Sequence, residues 1–240
     1  MQNDWLIRTE ALIGEDRLIK IRNTKITIIG LGGVGSYAAE TIARSGVNHL
    51  QLIDYDTVSL NNINRQLIAL RSTIGQKKTE VMKKRIQDIN PEADIIIFSD
   101  FLCKSNRFEI LKNSDYIIDA IDSLGPKMGM IKDLCELGLP FVSVLAAGNR
   151  INPESIKITS IWNTEGCPFA KRLKKLLRRF NITQDIPVVY SNEVPHQPLK
   201  AYTSERNLDT PIPKSLVGSI SYMPAIMGLM AAGYIIQLIK

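Results

Sequence analysis

Residues 25–46 read KITIIGLGGVGSYAAETIARSG. Lys25 to Ile29 is a short β-branched run and predicts a strand. A helix is expected from about Ser36 to Ser45, with Gly46 where a C-terminal cap belongs. Between them lies Gly30-x-Gly32-x-x-Gly35. In such a turn Gly30 permits the tight bend, Gly32 lets a phosphate approach the backbone, and Gly35 permits close helix packing. The helix N-terminus beyond it offers unpaired N–H groups to an anion. Asp54 ends the next strand, 19 residues after Gly35, and suits a ribose hydroxyl pair. Strand, glycine turn, helix and acid together predict a nucleotide site, without choosing between NAD and ATP.

Working outward, the pattern repeats. Strands are expected at 49–54, 94–98, 116–120 and 141–146, and helices at 76–90, stopping before Pro91, and from Pro126 to about Gly138. This alternation predicts an α/β fold: a doubly wound, Rossmann-like, mostly parallel sheet with helices on both faces. The first twenty residues read as an amphipathic helical segment. Beyond residue 150 the alternation ends. A strand at 155–161, a basic helix at 167–180, a strand at 188–191, a polar loop at 192–215 and an apolar helix at 223–239 form a C-terminal extension. The expected organisation is a nucleotide-binding core with its N-terminal helix, 1–150, and an extension, 151–240, packed on the same domain. The apolar helix has 17 residues and contains Pro224, Gly228, Gly233 and Gln237. It reads as a buried helix rather than a membrane span, with Gly228, Ala231 and Ala232 allowing close approach to a sheet.

The 240 residues are 45% hydrophobic and 22% charged, which excludes disorder, collagen and coiled coil. The net charge of +6 permits a polyanionic partner. Cys103, Cys135 and Cys167 stand alone; without a CxxC pair, zinc is not expected, and a reducing compartment is. The start MQNDWLIRTE lacks a basic-then-apolar signal pattern, which argues against secretion.

The loop leaving the second strand narrows the nucleotide. Asp54-Tyr-Asp56-Thr-Val-Ser-Leu-Asn-Asn62-Ile-Asn-Arg65-Gln66 is a polar cluster that a dehydrogenase does not need. Lys78 follows Arg65 by thirteen residues and opens a helix, whereas Lys77 reads as a surface charge. Asp122 follows the strand at 116–120, at the carboxyl edge where ligands bind. Two cations and an acid converging on a nucleotide suit phosphoryl or adenylyl chemistry, with the acid holding a divalent metal.

The runs IIGLGGVGSYAAETIARSGV, LIDYDTVSLNNINRQ, GQKKTEVMKKRIQDINPEA and YIIDAIDS resemble the ubiquitin-activating-enzyme-like superfamily, which adenylates carboxylates with ATP. Three further segments, RTEALIGED, TEGCPFAKRLKKLLRR and VVYSNE with VGSISYMPAIMGLMAAGYII, resemble the tRNA threonylcarbamoyladenosine dehydratases and extend the likeness to nearly the whole chain. Members that activate sulfur-carrier proteins usually carry two zinc-binding CxxC pairs; they are the alternative, and a plain NAD oxidoreductase is a third.

The resemblance implies a phosphate loop of Gly30, Gly32, Gly33 and Gly35, with Asp54 on the ribose. It implies Asn62, Arg65 and Lys78 on the phosphates, magnesium on Asp122, and Arg8 lent across a homodimer. Arg65, Lys78, Arg8 and Asp122 would then be the catalytic set, with ATP and Mg2+ required and no zinc. The substrate would be tRNA bearing N6-threonylcarbamoyladenosine, dehydrated to a cyclic base in the cytoplasm. Whether a cysteine-desulfurase/sulfur-acceptor system docks at Cys167 stays open; that cysteine reads as structural, and Cys103 and Cys135 as packing residues. His49 and His196 are assigned no role. Between residues 171 and 179, Lys171, Arg172, Lys174, Lys175, Arg178 and Arg179 surround a stripe of Leu173, Leu176 and Leu177. All six are expected to face solvent and contact tRNA phosphates.

Overall fold

The computed structural model describes residues 4–197 and 217–240. Seven strands form one sheet: β1 (Lys25–Ile29), β2 (His49–Ile53), β3 (Asp94–Phe98), β4 (Tyr116–Asp119), β5 (Phe141–Val144), β6 (Ile156–Ser160) and β7 (Pro187–Ser191). Their order is β3-β2-β1-β4-β5-β7-β6, parallel throughout except that β6 runs antiparallel to β7. The inner strands are near-continuous apolar runs because helices cover both faces of the sheet. Ile26, Ile28, Leu50, Leu52 and Ile118 point into one core, and Ile29, Ile53, Ile117 and Phe141 into the other.

The described residues form eight α-helices: α1 (Ile7–Ile13), α2 (Glu15–Asn23), α3 (Gly35–Arg44), α4 (Lys78–Ile89), α5 (Arg107–Leu111), α6 (Leu124–Leu137), α7 (Pro168–Arg179) and α8 (Tyr222–Leu238). The first core takes side chains from α2, α3, α4 and α8; the second takes them from α5, α6 and α7. The expected N-terminal helix is two helices, broken at Gly14, whose φ is +84°. Helix α6 starts two residues before Pro126, since proline is tolerated within a first turn. The short α5 has too little periodicity to be legible in the sequence.

The C-terminal strands join the same sheet, β7 beside β5 and β6 at the edge. Helix α8 is buried against α3 and the sheet, but Gly228 does not face the sheet. A side chain there would overlap the Val34 carbonyl at the start of α3, so Gly228 sets the α3–α8 approach. Arg17 from α2 donates to the carbonyls of Ile236 and Ile239 and satisfies the α8 C-terminus. No helix among the described residues is long and apolar enough to cross a membrane. Of the polar loop expected at 192–215, residues 198–215 lie outside the described residues.

Candidate active site

The carboxyl edge of β1, β2 and β4 gathers most of the singled-out residues. Gly30 turns the chain out of β1 with φ +89°, and a Cβ there would stand 2.9 Å from the Ala120 carbonyl oxygen. A Cβ at Gly35 would overlap the Gly30 carbonyl. The turn therefore closes only with glycine at these two positions, and it presents the N-terminus of α3 to the crevice between β1 and β4. There the strand order changes direction, which is where open α/β sheets bind ligands.

Asp54 follows β2 and is buried. Its carboxylate accepts the Leu31 amide of the glycine turn at 2.6 Å and the Asp56 amide at 2.8 Å. Burial raises the Asp54 pKa, opposed by Lys78 and by the two amides. Lys78 opens α4 and is only 4% exposed. Its Nζ donates to Asp56 at 2.8 Å and lies 3.9 Å from the Asp54 carboxylate. Lys77 is exposed and its Nζ reaches the Tyr55 carbonyl. Two neighbours with different environments thus separate at this helix start.

The loop after Asp56 lies across the glycine turn. A Cβ on Gly33 would stand 3.2 Å from the Arg65 carbonyl, and Leu67 donates its amide to Ser36. Asn62 is buried and accepts the Ser59 amide at 3.2 Å, closing a short 3-10 turn. Arg65 is folded back on its own loop, donating to the Asn61 carbonyl at 2.7 Å and to Asn64 at 2.9 Å. Gln66 is buried with its amide near Gly32, and its Oε1 has no partner. Gln66 ends the polar run singled out in the sequence, where it carries no role of its own, since only the fold shows where its amide points.

Asp122 stands exposed after β4, and one of its oxygens accepts from Ser123. Among the described residues no three His, Cys, Asp or Glu side chains cluster as a metal site. Magnesium does not demand such a cluster, because it is commonly held by one or two carboxylates and substrate phosphates. Asp122 beside the crevice fits that type of site.

Tyr55 and Phe101, 46 residues apart, meet edge to face with ring centroids 5.3 Å apart, and both are exposed. Asp56 first, then burial, Asp122 and Asp54 push the Tyr55 hydroxyl pKa up, so the ring stands among the site's acids.

Arg8 is exposed on α1, a helix with no buried residue. The preceding Leu6 packs on Gly46, at the far end of α3 from the glycine turn. The ten residues of α3 span roughly 15 Å, so Arg8 is remote from its own site.

Helix α7 buries Leu173 and Leu177 and leaves Lys171, Arg172, Lys175, Arg178 and Arg179 exposed. Lys174 does not face solvent freely, since its Nζ donates to the Thr164 carbonyl at 2.8 Å. Arg178 sits over the Trp162 ring at 5.4 Å. Cys167 is buried in the second core and accepts from Arg150 at 3.2 Å. Cys135 packs against that core. Cys103 is not a packing residue: its thiol lies in the loop after β3, 3.0 Å from the Ser105 hydroxyl. His49 pairs with Asp94 at 3.7 Å and His196 with Glu193 at 2.8 Å.

The sequence profile of the ThiF family matches residues 6–240. The chain belongs to the ThiF family. Within it, the chain is 35% identical to the tRNA threonylcarbamoyladenosine dehydratase of Bacillus subtilis (strain 168), over 96% of this chain and 92% of that protein. The structure superimposes on the E. coli tRNA N6-threonylcarbamoyladenosine dehydratase TcdA in complex with AMP. The TM-score is 0.87 and the identity 32%, covering 99% of this chain and 96% of that one. The ATP complex of the same enzyme gives TM-score 0.87 at 31% identity, with the same coverage. The glycine turn, Asp54 and Lys78 lie together at one sheet edge. The similarity continues through β6, β7, α7 and α8.

Proposed function

We propose that this ThiF-family chain is an ATP-dependent tRNA threonylcarbamoyladenosine dehydratase. The observation that carries the reading is that the likeness to the B. subtilis and E. coli dehydratases spans the C-terminal extension as well as the nucleotide fold. In the reaction, the threonine carboxylate of the modified adenosine attacks the α-phosphate of ATP and pyrophosphate leaves. The carbamoyl group then closes on the activated carbonyl, and AMP departs with the former carboxylate oxygen. The net change is loss of one water, driven by ATP. Ring closure is intramolecular and gains from proximity.

Each residue has a role in this reading. Gly30, Gly32, Gly33 and Gly35 with the α3 N-terminus hold phosphate oxygens, and Asp54 holds the ribose. The exposed Tyr55–Phe101 pair lies on the β2–β3 side of Asp54, where a base would extend from that ribose. Asn62, Arg65 and Lys78 face the phosphates; Arg65 would leave its own loop carbonyl to do so. Magnesium would be held by Asp122, supplying charge neutralisation when bound.

Arg8 serves a neighbouring site in a homodimer, supported by its distance from its own site and by the exposed Ile7 and Leu12 on α1. The exposed cations Lys171, Arg172, Lys175 and Arg179 contact tRNA phosphates, while Lys174 and Arg178 contribute through partly engaged side chains. Residues 1–150 form the adenylating core and 151–240 the extension. The protein works in the cytoplasm, and Cys167, already held by Arg150, gives a sulfur donor no exposed thiol.

Incubation with ATP, Mg2+ and total tRNA tests the assignment. Pyrophosphate release and loss of one water from the modified nucleoside, read by mass, are expected. Release with a Gly-Gly-ended carrier protein instead of tRNA, or NAD binding without pyrophosphate release, would overturn it.

A further inference from the structure

Beneath the site lies a buried ionic cluster that the reaction above does not use. Asp119 ends β4, Lys127 projects from the first turns of α6, and Ser143 lies on β5. All three are fully buried. One Asp119 oxygen accepts from Lys127 and from Ser143, each at 2.7 Å, and Lys127 also reaches the Ser143 hydroxyl at 3.0 Å. The other Asp119 oxygen accepts the Ile121 amide at 3.1 Å. Lys127 further donates to the Asp119 carbonyl at 3.3 Å.

Fold stability is a weak reason for such a cluster. Desolvating two charges roughly cancels their attraction, and well-packed apolar replacements are often neutral or stabilising. Its position is more informative. Residues 120–123 leave β4 between Asp119 and Lys127, and Asp122 is carried at the middle of this turn. Ala120 is bonded to the Ile29 carbonyl, and its own carbonyl lies against Gly30. The cluster therefore grips the turn at both ends and seats it on the glycine loop.

We propose that Lys127 and Ser143 are positioning residues for Asp122, acting through Asp119 to fix where that carboxylate meets the metal–nucleotide complex. The inference rests on Asp122 being the metal carboxylate. Partners that orient a metal ligand typically change metal affinity or activity by about 10–100-fold when removed.

The test uses the full chain and a double variant, Asp119→Leu with Lys127→Met, that removes both charges, together with Ser143→Ala and Asp122→Asn. Thermal midpoint, binding of a non-hydrolysable ATP analogue without metal, and Mn2+ affinity of the analogue complex by electron paramagnetic resonance are measured beside turnover. The double variant should fold and bind the metal-free analogue within about 3-fold of the parent, yet lose roughly 10-fold or more in Mn2+ affinity. Ser143→Ala should lower kcat by several-fold with KM for ATP unchanged. A folded double variant with parental Mn2+ affinity and kcat overturns the proposal. Should the double variant not fold, Ser143→Ala with parental kcat and Mn2+ affinity does so. Unchanged Mn2+ affinity in Asp122→Asn removes the metal reading instead, which separates the two failures.

Discussion

Replacing Lys78 by methionine removes one charge while keeping most of the buried stem, and its consequences for stability and catalysis differ in size. At 2.8 Å from Asp56, the attraction is about 1.5 kcal/mol in water's dielectric and about 6 kcal/mol at an effective constant of ~20. Asp56 is about half exposed, so screening brings the net stabilising effect down to about 1 kcal/mol. That corresponds to a fall in Tm of about 2–4 °C for a chain of this size. On the proposed reading, turnover depends on Lys78 in another way. An oriented charge facing developing negative charge is worth about 10²–10³ in kcat. Pyrophosphate release by Lys78→Met should therefore fall at least 100-fold at a temperature where the variant is fully folded.

A pH series adds a second check. Burial already raises Asp54 above its ordinary value of 3.8, with Lys78 opposing. Without the lysine that pKa rises further. A carboxyl whose folded pKa is raised contributes stability that is present below its unfolded pKa and is lost as pH rises through the folded one. The stability deficit of Lys78→Met should accordingly be small near pH 4 and grow on going to neutral pH. Turnover within 3-fold of the parent, in a folded variant, would refute the reasoning.

Three further outcomes are expected. Arg8→Ala and Lys78→Met should each be inactive, and mixing them with subunit exchange should restore up to about a quarter of the sites by random pairing in a symmetric dimer; no recovery would place Arg8 outside the neighbouring site. Replacing Lys171, Arg172, Lys175 and Arg179 by Gln should weaken tRNA binding at every sequence and flatten the log–log salt dependence by up to about 3 to 4, leaving ATP affinity unchanged; an unchanged slope would make α7 a solvated face only. Tyr55→Ala with Phe101→Ala should raise KM for ATP by about 10-fold or more, as loss of base stacking does elsewhere, with tRNA affinity unchanged; an unchanged KM would leave the pair without a role in holding the base.

What could be read from the sequence was whatever lies close along it. The glycine turn, Asp54 and Lys78 are each fixed by a strand end or a helix start, so spacing alone brings them to one edge. The same holds for α7, whose leucine stripe sets its inner face. Contacts made across the sheet could not be read. Lys127, Asp119 and Ser143 sit on three elements, and only the β4–β5 register unites them. Tyr55 and Phe101 meet because β2 and β3 are neighbours. Lys174 looks like any other cation in its run, and its loss to the Thr164 carbonyl depends on how the 164–167 segment folds back over α7. Gly228 was legible as a close-approach residue but not as one facing α3, since an all-apolar helix does not say which neighbour each side meets.

On the proposed reading, the charges of this chain keep two anionic ligands from competing for one surface. At the carboxyl edge, Asp54, Asp56 and Asp122 follow β2 and β4, with Asp119 buried beneath them, and Lys78 and Lys127 are buried against carboxylates. In that reading the crevice offers a nucleic-acid backbone little positive charge beyond Arg65 and Lys77, and it keeps amides and Lys78 for the triphosphate. A denser run of exposed cations lies on α7. Helix α7 begins beside Arg150 and Cys167 and packs with α6 on the opposite face of the sheet from α3 and α8. RNA held along α7 would meet the crevice only through a group reaching over the sheet edge. On the proposed reading that group is the modified base with its threonine carboxylate. The site's acids would repel the phosphodiester backbone and leave the small acid to enter beside ATP. This division predicts that salt should weaken tRNA binding far more steeply than ATP binding. Parallel salt slopes for the two ligands would mean that both lean on the same cations, and the separation argued here would fail.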